Sequence, residues 1–438
     1  MNRKQIYAAL GAALLSGLTA WAQQPLRLTL AECRERALAH SEELQQADNR
    51  LEQARLDRQI ASAAALPRLE GSATGAYVLP DMDMMGMDLR MRGTYMAGLT
   101  LTQPIYAGGK ISAARRMSRI GERAAEEQRR MTRMDVLVEA DNAYWTLMAV
   151  ERKVLMLESY AAQMDTLYHQ GSAAYEAGMA IENDLLRIEA RRSEVRYQLE
   201  KARNGAELCR MALCRVIGVG NEVRPIPVDS LARAAAPGEM LTDLGARPEL
   251  RLLEQQVAIG EEQVRDARSA MLPTVGLSLG YTYYGNIKLN SLVDAGNGNY
   301  IPYTQEFRDG LGIAMLAVKV PIFHWGESRK KVRKARYELQ NAQLDLQKNT
   351  RLMSLEVEQA VRNLEDGSRL IRMADLGLRQ AEENLRVMRN RYTARMAPLT
   401  DLLDAQSQWQ QAESNLIEAQ TQYRIYETEY RRSIGSLE

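Results

Sequence analysis

Residues 177–186 read Ala-Gly-Met-Ala-Ile-Glu-Asn-Asp-Leu-Leu, and residues 394–403 read Ala-Arg-Met-Ala-Pro-Leu-Thr-Asp-Leu-Leu. Met179 and Met396 are separated by 396 − 179 = 217 positions. The same offset relates four other pairs of landmarks: Asp184 and Asp401, Tyr175 and Tyr392, Pro104 and Pro321, and Ile217 and Ile434. A constant offset over distant landmarks indicates an internal duplication, and the repeat constrains the architecture before any single motif does.

The first 22 residues have the pattern of a secretory signal peptide. Arg3 and Lys4 form a basic start, residues 6–18 are apolar, and Ala20-Trp21-Ala22 offers small residues to a signal peptidase. We expect cleavage after Ala22 and no N-terminal lipid, because no cysteine follows directly. Beyond this segment the sequence has no run of about 18 apolar residues, so we expect no helical membrane span.

Composition argues against several functional classes. The net charge of +1 is not that of a nucleic-acid-binding protein. His40, His169 and His324 have neither metal-ligand nor triad spacing, and no phosphate-binding glycine loop occurs. We therefore expect no enzyme activity, no cofactor and no metal site. Cys209 and Cys214 are five apart on a predicted helix, too far for an undistorted bridge, so we interpret the three cysteines as reduced packing residues.

Proline placement permits very long helices. No proline lies between Pro104 and Pro225, and only Pro398 follows Pro321. These intervals are rich in strong helix formers, and a helix of about 60 residues is about 90 Å long, as in coiled-coil tubes. We predict helices over about 31–64, 112–175, 183–216, 248–271, 328–392 and 400–434.

The helices over 183–216 and 400–434 carry apolar residues at alternating steps of three and four. This is the 3.5-residue repeat of a coiled-coil seam, and Arg192 is its exception in the first copy. The seam residues are Leu185, Ile188, Val195, Leu199, Ala202, Ala206, Cys209 and Leu213, with Leu402, Ala405, Trp409, Ala412, Leu416, Ala419, Tyr423, Tyr426 and Tyr430 in the second copy.

Alternating polar and apolar residues with tyrosines near the ends predict strands over about 68–79, 93–103, 274–284 and 310–320. We expect loops over 80–92 and 285–309. The first repeat spans 23–218, a mixed linker with three prolines spans 219–246, and the second repeat spans 247–438. Four strands cannot close a sheet in lipid, so the sequence implies a cyclic oligomer without fixing its number of subunits.

The pattern resembles the TolC-type outer-membrane efflux channel family over nearly the whole mature chain. The tips around Met179 and Met396 carry the resemblance, with Leu66-Pro67 and Leu272-Pro273 at the strand entries and residues 103–109 and 320–326 at the strand exits. The resemblance implies an α+β membrane protein, a homotrimer with a 12-stranded β-barrel in the outer membrane and an α-helical coiled-coil barrel in the periplasm. It also implies a periplasmic adaptor and an inner-membrane pump as partners.

The resemblance assigns roles near the tips. Asp401 and Asp404 match an acidic ring at the inner mouth, although both are also ordinary solvated carboxylates favoured near a helix start. Asp184 and Tyr392 match links that hold the inner helices shut. The family's usual arginine falls at Ala397, and Arg395 replaces the tip glycine. Arg395 either supplies the missing cation or the gate is held differently.

The exposed tip residues match those through which adaptors dock: Gly178, Met179, Ala180, Met396 and Ala397. Gly178 also fits a plain turn glycine. Six aromatic residues are candidates for belts at the membrane interface, the alternative being packing within loops: Tyr77, Tyr281, Tyr283, Tyr284, Phe323 and Trp325.

A methionine-rich stretch contains Met82, Met84, Met85, Met87 and Met91. Thioethers suit Cu(I) or Ag(I), but no histidine accompanies them, so we favour an adaptable loop over a metal site.

The most favoured function is a passive outer-membrane exit channel of a tripartite efflux pump. The exit duct of a type I protein secretion system shares the fold. A soluble periplasmic coiled-coil scaffold is the alternative of another class, and it would not need the strands. The sequence does not identify the substrate.

Overall fold

The structure is a computed structural model that describes residues 25–84, 87–231, 240–294, 296 and 298–437. The predicted signal peptide over 1–22 lies outside the described residues, as do Met85 and residues 232–239 of the predicted linker. Within the described ranges, no helix combines the length and the apolar character needed to cross a membrane.

The helices and strands follow one another in two related series. The first series is β1 (Pro25–Leu28), α1 (Leu30–His40), α2 (Glu42–Ala63), β2 (Arg68–Tyr77), β3 (Met82–Met84), β4 (Met87–Arg90), β5 (Arg92–Ala107), α3 (Lys110–Glu176) and α4 (Glu182–Val216). After β6 (Arg224–Pro227), the second series is α5 (Pro248–Ser269), β7 (Thr274–Asp294), β8 (Tyr300–Lys319), α6 (Glu327–Thr393) and α7 (Leu399–Ser433).

The duplication extends to the ends of the long helices. Helices α3 and α6 both have 67 residues, and α4 and α7 both have 35. Each of their four boundaries moves by 217 positions between the copies, as from Lys110 to Glu327. The two helical hairpins are therefore two copies of one unit.

Two compact units divide the chain, and neither corresponds to one repeat. The first contains the chain up to Asp48, Glu127–Leu250 and the chain from Asn349 onwards. The second contains Asn49–Glu126 and Arg251–Lys348. Each unit draws on both copies of the duplication.

The first unit contains a core formed by β1, α1, α3 and α4, and β1 pairs in parallel with β6. Tyr144 is fully buried there, and its hydroxyl lies 2.7 Å from an Asp229 carboxylate oxygen. Asp141 is also fully buried and accepts from Arg34 at 2.6 and 2.7 Å and from the Thr428 hydroxyl at 2.6 Å. These bonds satisfy a charge that would be very costly to bury alone.

The second unit contains an antiparallel sheet in the order β2-β5-β7-β8, with β4 and β3 continuing from the far end of β7. The pairing sorts most side chains of β2, β5 and β7 onto two faces. One face is apolar and includes Leu69, Leu101, Leu279 and Tyr281, whereas Ser72, Thr100, Ser278 and Thr282 lie on the other. Strand β8 departs from this pattern because Leu311, Ile313 and Met315 lie on the hydroxyl-rich face.

The predicted loops over 80–92 and 285–309 are wrong. Strand β7 continues to Asp294, and β8 begins at Tyr300. Strand β4 pairs with β7, with Leu89 opposite Leu289. Composition suggested loops there, but an antiparallel neighbour satisfies the backbone and supports strands despite the polar residues. Across β7 and β8, the Thr304 hydroxyl donates to the Asn290 amide oxygen at 2.8 Å.

Two other details differ from the expectation. The helix predicted over 31–64 is two helices, because the backbone is extended at Ser41 and the Ser41 hydroxyl then accepts from the amide of Leu44 at 3.2 Å. The linker contributes β6, which pairs in parallel with β1. Proline-rich composition concealed that strand, since edge positions tolerate proline.

Candidate functional site

Both helical hairpins reverse direction through the same turn. In the first copy, the Gly178 amide donates to the Tyr175 carbonyl at 2.8 Å and the Met179 amide donates to the Ala174 carbonyl at 2.7 Å. This is a Schellman motif, and Gly178 takes the left-handed position with φ = 69°. The second copy repeats both bonds 217 positions later, at 2.9 and 2.8 Å.

Arg395 occupies the left-handed position of the second turn, with φ = 61°. A side chain at this φ strains the backbone by about 1 kcal/mol or more. Its Nη2 lies 3.1 Å from the Met179 sulfur, so the two tips of one chain are in contact. Met179 and Met396 are 60% and 78% exposed. Ala180 is half-buried, as is Ala397.

Behind the tips, an apolar cluster joins all four long helices. Its buried members are Tyr160, Met164 and Leu167 of α3, Ile188 and Val195 of α4, Leu385 of α6, and Leu399, Leu402 and Ala405 of α7. The members from α4 and α7 include predicted seam residues, which confirms the seam at this end of both hairpins. The cluster fixes the positions from which the tip side chains project.

Asp184 and Tyr392, the predicted gate links, lie close enough to interact electrostatically. Burial raises the pKa of the Tyr392 phenol, and the negative charge of Asp184 raises it further. In the described part of the chain, no hydrogen bond joins these two side chains. The Arg395 guanidinium contacts the Met179 sulfur, and the Arg395 amide donates to the Tyr392 carbonyl within the turn.

Asp401 and Asp404 are exposed on the first turns of α7. They are three positions apart and therefore share a face of the helix. Leu402, which follows Asp401, and Ala405, which follows Asp404, are buried. Gln406 is 3% exposed, and its side-chain oxygen has no hydrogen-bond partner among the described residues. The two carboxylates thus project from a helix in which the residues next to them are packed against other helices.

Arg191 is a site residue that the sequence interpretation missed. Its Nε donates to the hydroxyl of buried Tyr160 at 3.0 Å, and its Nη2 donates to the Ser407 hydroxyl at 3.0 Å and the Gln410 amide oxygen at 3.5 Å. It therefore joins α3, α4 and α7 two turns behind the tips. The sequence signal that could have indicated Arg191 was its neighbour Arg192, the charged exception in the apolar spacing. Arg192 itself donates from Nε to the Asp165 carboxylate at 2.5 Å.

The predicted aromatic belt residues fall into separate groups. Tyr281 and Tyr283 lie on the apolar face of the sheet, and Tyr77 follows the same alternation on β2. Tyr284 lies on the opposite face because it is adjacent to Tyr283 on one strand. Phe323 and Trp325 follow β8 and form an edge-to-face pair with ring centroids 5.1 Å apart.

Met82 and Met84 lie in β3 and Met87 lies in β4, and in this small antiparallel pair Met84 is opposite Met87. Asp81 nearby binds Arg90 at 3.1 Å and Arg92 at 3.0 Å. Its carboxylate is thus engaged by arginines. No group of three or more His, Cys, Asp or Glu side chains within the described ranges is arranged to hold a metal ion.

Comparison with known proteins identifies the family. A family model described as outer membrane efflux protein matches residues 33–219 and 243–436, which cover most of both repeats. The chain belongs to the outer membrane efflux protein family. It is therefore an outer-membrane channel protein of the TolC type, not an enzyme, as the sequence predicted.

Several proteins resemble this efflux family member along most of their length. The alkaline protease secretion protein AprF of Pseudomonas aeruginosa is 22% identical, with 88% of this chain and 80% of AprF aligned. The pyoverdine export outer membrane protein OpmQ of the same organism is 24% identical, with 91% and 83% aligned. A crystal structure of CusC superposes with a TM-score of 0.78 at 16% identity, covering 93% of this chain and 92% of that one, which confirms the fold.

Proposed function

We propose that three copies of this chain form the exit channel of a tripartite efflux pump. The sheet carries the proposal: among its four long strands, β2 and β8 are the outer two, and each is paired on one side only within the described chain. Unpaired strand edges cannot remain in a lipid environment, so the sheet must be completed by other copies. Three copies would supply twelve strands, and the exposed apolar face would then contact lipid through Tyr77, Tyr281 and Tyr283.

The helical hairpins would form the periplasmic tunnel, closed at the tips. In this proposal, Asp401 and Asp404 contribute six carboxylates near the three-fold axis. Two unit charges about 10 Å apart repel by roughly 1.7 kcal/mol at an effective dielectric of 20, so such a ring attracts cations and divalent ions. Asp184 and Tyr392 would restrain the inner helices, and Arg191 would hold α4 against α7.

The tips would dock onto a periplasmic adaptor connected to an inner-membrane pump. Gly178, Met179 and Met396 form the exposed ends, and Ala180 and Ala397 are half-buried beside them. The methionines suit a partner surface because their side chains adapt to it. Arg395 adds a cation at this surface. The channel itself uses no cofactor and performs no hydrolysis in this proposal, and the pump supplies the energy.

The exit duct of a protein secretion system is the second candidate, because AprF is named as a secretion protein whereas OpmQ is named for pyoverdine export. Deletion of the gene separates the two. Increased sensitivity to drugs supports efflux, whereas loss of a secreted protein from the medium supports secretion.

The channel proposal is tested with the mature chain purified in detergent. Single-channel conductance is measured in a planar bilayer with and without divalent cations. Small cation-selective steps that divalents block support the pore and its acidic ring. Large unblocked steps support the pore but contradict the ring, and no conductance from folded protein contradicts the channel.

A further inference from the structure

The segment between β8 and α6 exposes large apolar side chains. Ile322 is 91% exposed, Phe323 is 68% exposed and Trp325 is 86% exposed. A contiguous exposed apolar patch of this kind marks an interaction surface. The corresponding residues of the first copy, Ile105 and Tyr106, are less exposed, at 58% and 45%.

Trp325 holds a backbone conformation that favours glycine. Its φ is 49°, and its counterpart in the first copy is Gly108 with φ = 61°. Gly108 packs against the Ser269 carbonyl and leaves no room for a side chain, whereas Trp325 projects into solvent. A bulky residue at positive φ is strained, and such strain is typical of functional positions.

A dense basic cluster follows at once, on the first turns of α6. Its six members are Arg329, Lys330, Lys331, Arg333, Lys334 and Arg336, and all are exposed. Val332 and Ala335 are buried, and Leu339 packs toward Gly260 of α5. At 100° per residue, Lys330, Arg333 and Lys334 therefore project from the side of α6 opposite to this packed face.

The cluster is only partly neutralised by the protein itself. Lys331 binds Glu327 at 2.6 Å and Lys334 lies 3.6 Å from Glu338. Arg329, Lys330 and Arg336 have no carboxylate partner within the described residues. Cations in the first turn of a helix also oppose its dipole, so an external anion would stabilise Arg329 and Lys330.

We propose that residues 322–336 bind anionic phospholipids in the leaflet that faces the periplasm. Ile322, Phe323 and Trp325 enter the boundary between headgroups and acyl chains, and Lys330, Arg333 and Lys334 bind the headgroup phosphates. This inference rests on the proposed function, in which β7 and β8 cross the membrane. Continuity favours lipid over a protein partner: the aromatic residues extend directly from β8, and the cations follow within about two helical turns, or roughly 11 Å.

The test uses the tryptophan itself as the probe. The full chain is reconstituted into phosphatidylcholine vesicles containing brominated phosphatidylglycerol or, at the same mole fraction, brominated phosphatidylcholine. Trp325→Phe defines the quenching that comes from the other tryptophans. Each Lys or Arg near an anionic surface contributes roughly a fivefold change in binding. Brominated phosphatidylglycerol should therefore quench Trp325 several-fold more strongly than brominated phosphatidylcholine does. High salt should reduce this difference.

The test variant is Lys330→Gln with Arg333→Gln and Lys334→Gln. The matched control replaces three arginines of the same helix that bind neighbouring carboxylates, Arg369→Gln with Arg379→Gln and Arg386→Gln. Only the first set should abolish the preference for phosphatidylglycerol while leaving quenching by brominated phosphatidylcholine unchanged.

Three outcomes overturn the inference. Equal quenching by both lipids shows that Trp325 meets the membrane without charge selection. Loss of the preference in the control as well assigns it to overall charge. No quenching by either lipid removes this segment from the membrane. In all three cases channel conductance, measured separately, still decides the proposed function.

Discussion

Arg395 reaches across from one tip to the other: its guanidinium Nη2 lies 3.1 Å from the sulfur of Met179. The two residues occupy successive positions of equivalent turns, since Met179 directly follows the glycine that Arg395 replaces in the second copy. The contact makes the two tips of a chain one continuous surface. A partner that binds one tip therefore also contacts the other.

Arg395→Gly and Arg395→Ala separate backbone strain from this contact. Both remove the guanidinium, but only glycine relieves the strain at φ = 61°. We expect Arg395→Gly to exceed Arg395→Ala in unfolding free energy by about 1 kcal/mol. Denaturant unfolding of the purified protein in detergent measures the difference. Equal stabilities would show that the turn tolerates a side chain without cost.

Arg191→Ala should loosen the tips that we propose close the tunnel. The change removes the hydrogen bonds to Tyr160 and Ser407 and leaves a buried phenol with fewer partners. Losing bonds to a charged group costs about 1.5–3 kcal/mol, which should raise the mean open probability in single-channel recordings and sensitise cells to large antibiotics.

Arg187→Ala is the matched control for this experiment. Arg187 lies one turn away on α4 and is exposed, so its removal should leave conductance unchanged. An Arg191→Ala channel indistinguishable from Arg187→Ala would exclude Arg191 from the gate.

Asp401→Asn with Asp404→Asn should remove the divalent block. The double variant eliminates the proposed ring of charges while keeping side-chain size, so the blocking concentration of a divalent cation should rise about tenfold or more. Asp57→Asn, at an exposed position of α2, controls for loss of a carboxylate elsewhere. The ring is contradicted if block persists in the double variant at the wild-type concentration.

Glu413→Gln should stabilise the protein at neutral pH. Burial raises the pKa of Glu413, Glu382 raises it further and Arg152 opposes both. The folded pKa therefore lies above the unfolded value of about 4.3. The protonated Glu413 carboxyl contributes to the free energy of unfolding, and this contribution is fully present at pH values below the unfolded pKa. It is lost as the pH rises through the folded pKa.

The melting temperature measured at two pH values checks this prediction. Glu413→Gln should melt above wild type at pH 7.5 and close to it at pH 4. Glu418→Gln, exposed on the same helix, should match wild type at both. A stabilisation that is independent of pH would assign the effect to packing instead.

The helices were predictable because their signals are local. Proline gaps and apolar spacing predicted α3 and α6 to within two residues at each end. The seams were predictable for the same reason, as Val195 and Leu402 are buried where the spacing placed them. The tips followed from the repeat, since corresponding residues make the same turn.

Structural features that depend on residues distant in the sequence were not predictable. Helix α7 has a second buried side, which includes Ile417, Thr421 and Thr428, because it packs against the first copy's helices as well as its own partner. The outer ends of β7 and β8 looked like loops because composition does not show which strand will pair with them. Arg191 was missed because its partners, Tyr160 and Ser407, are remote in sequence.

The left-handed turns show how the two copies have diverged. Gly108 and Gly178 of the first copy became Trp325 and Arg395 in the second, yet the φ angles changed by little more than 10°. The surrounding hydrogen bonds thus fix each bend without glycine, which frees the position to acquire chemistry. If three chains close into a ring, its six tips alternate between a bare turn and a cationic one. The ring of tips then has three-fold rather than six-fold symmetry. A partner assembly can therefore distinguish the two kinds of groove between neighbouring tips and occupy one of them.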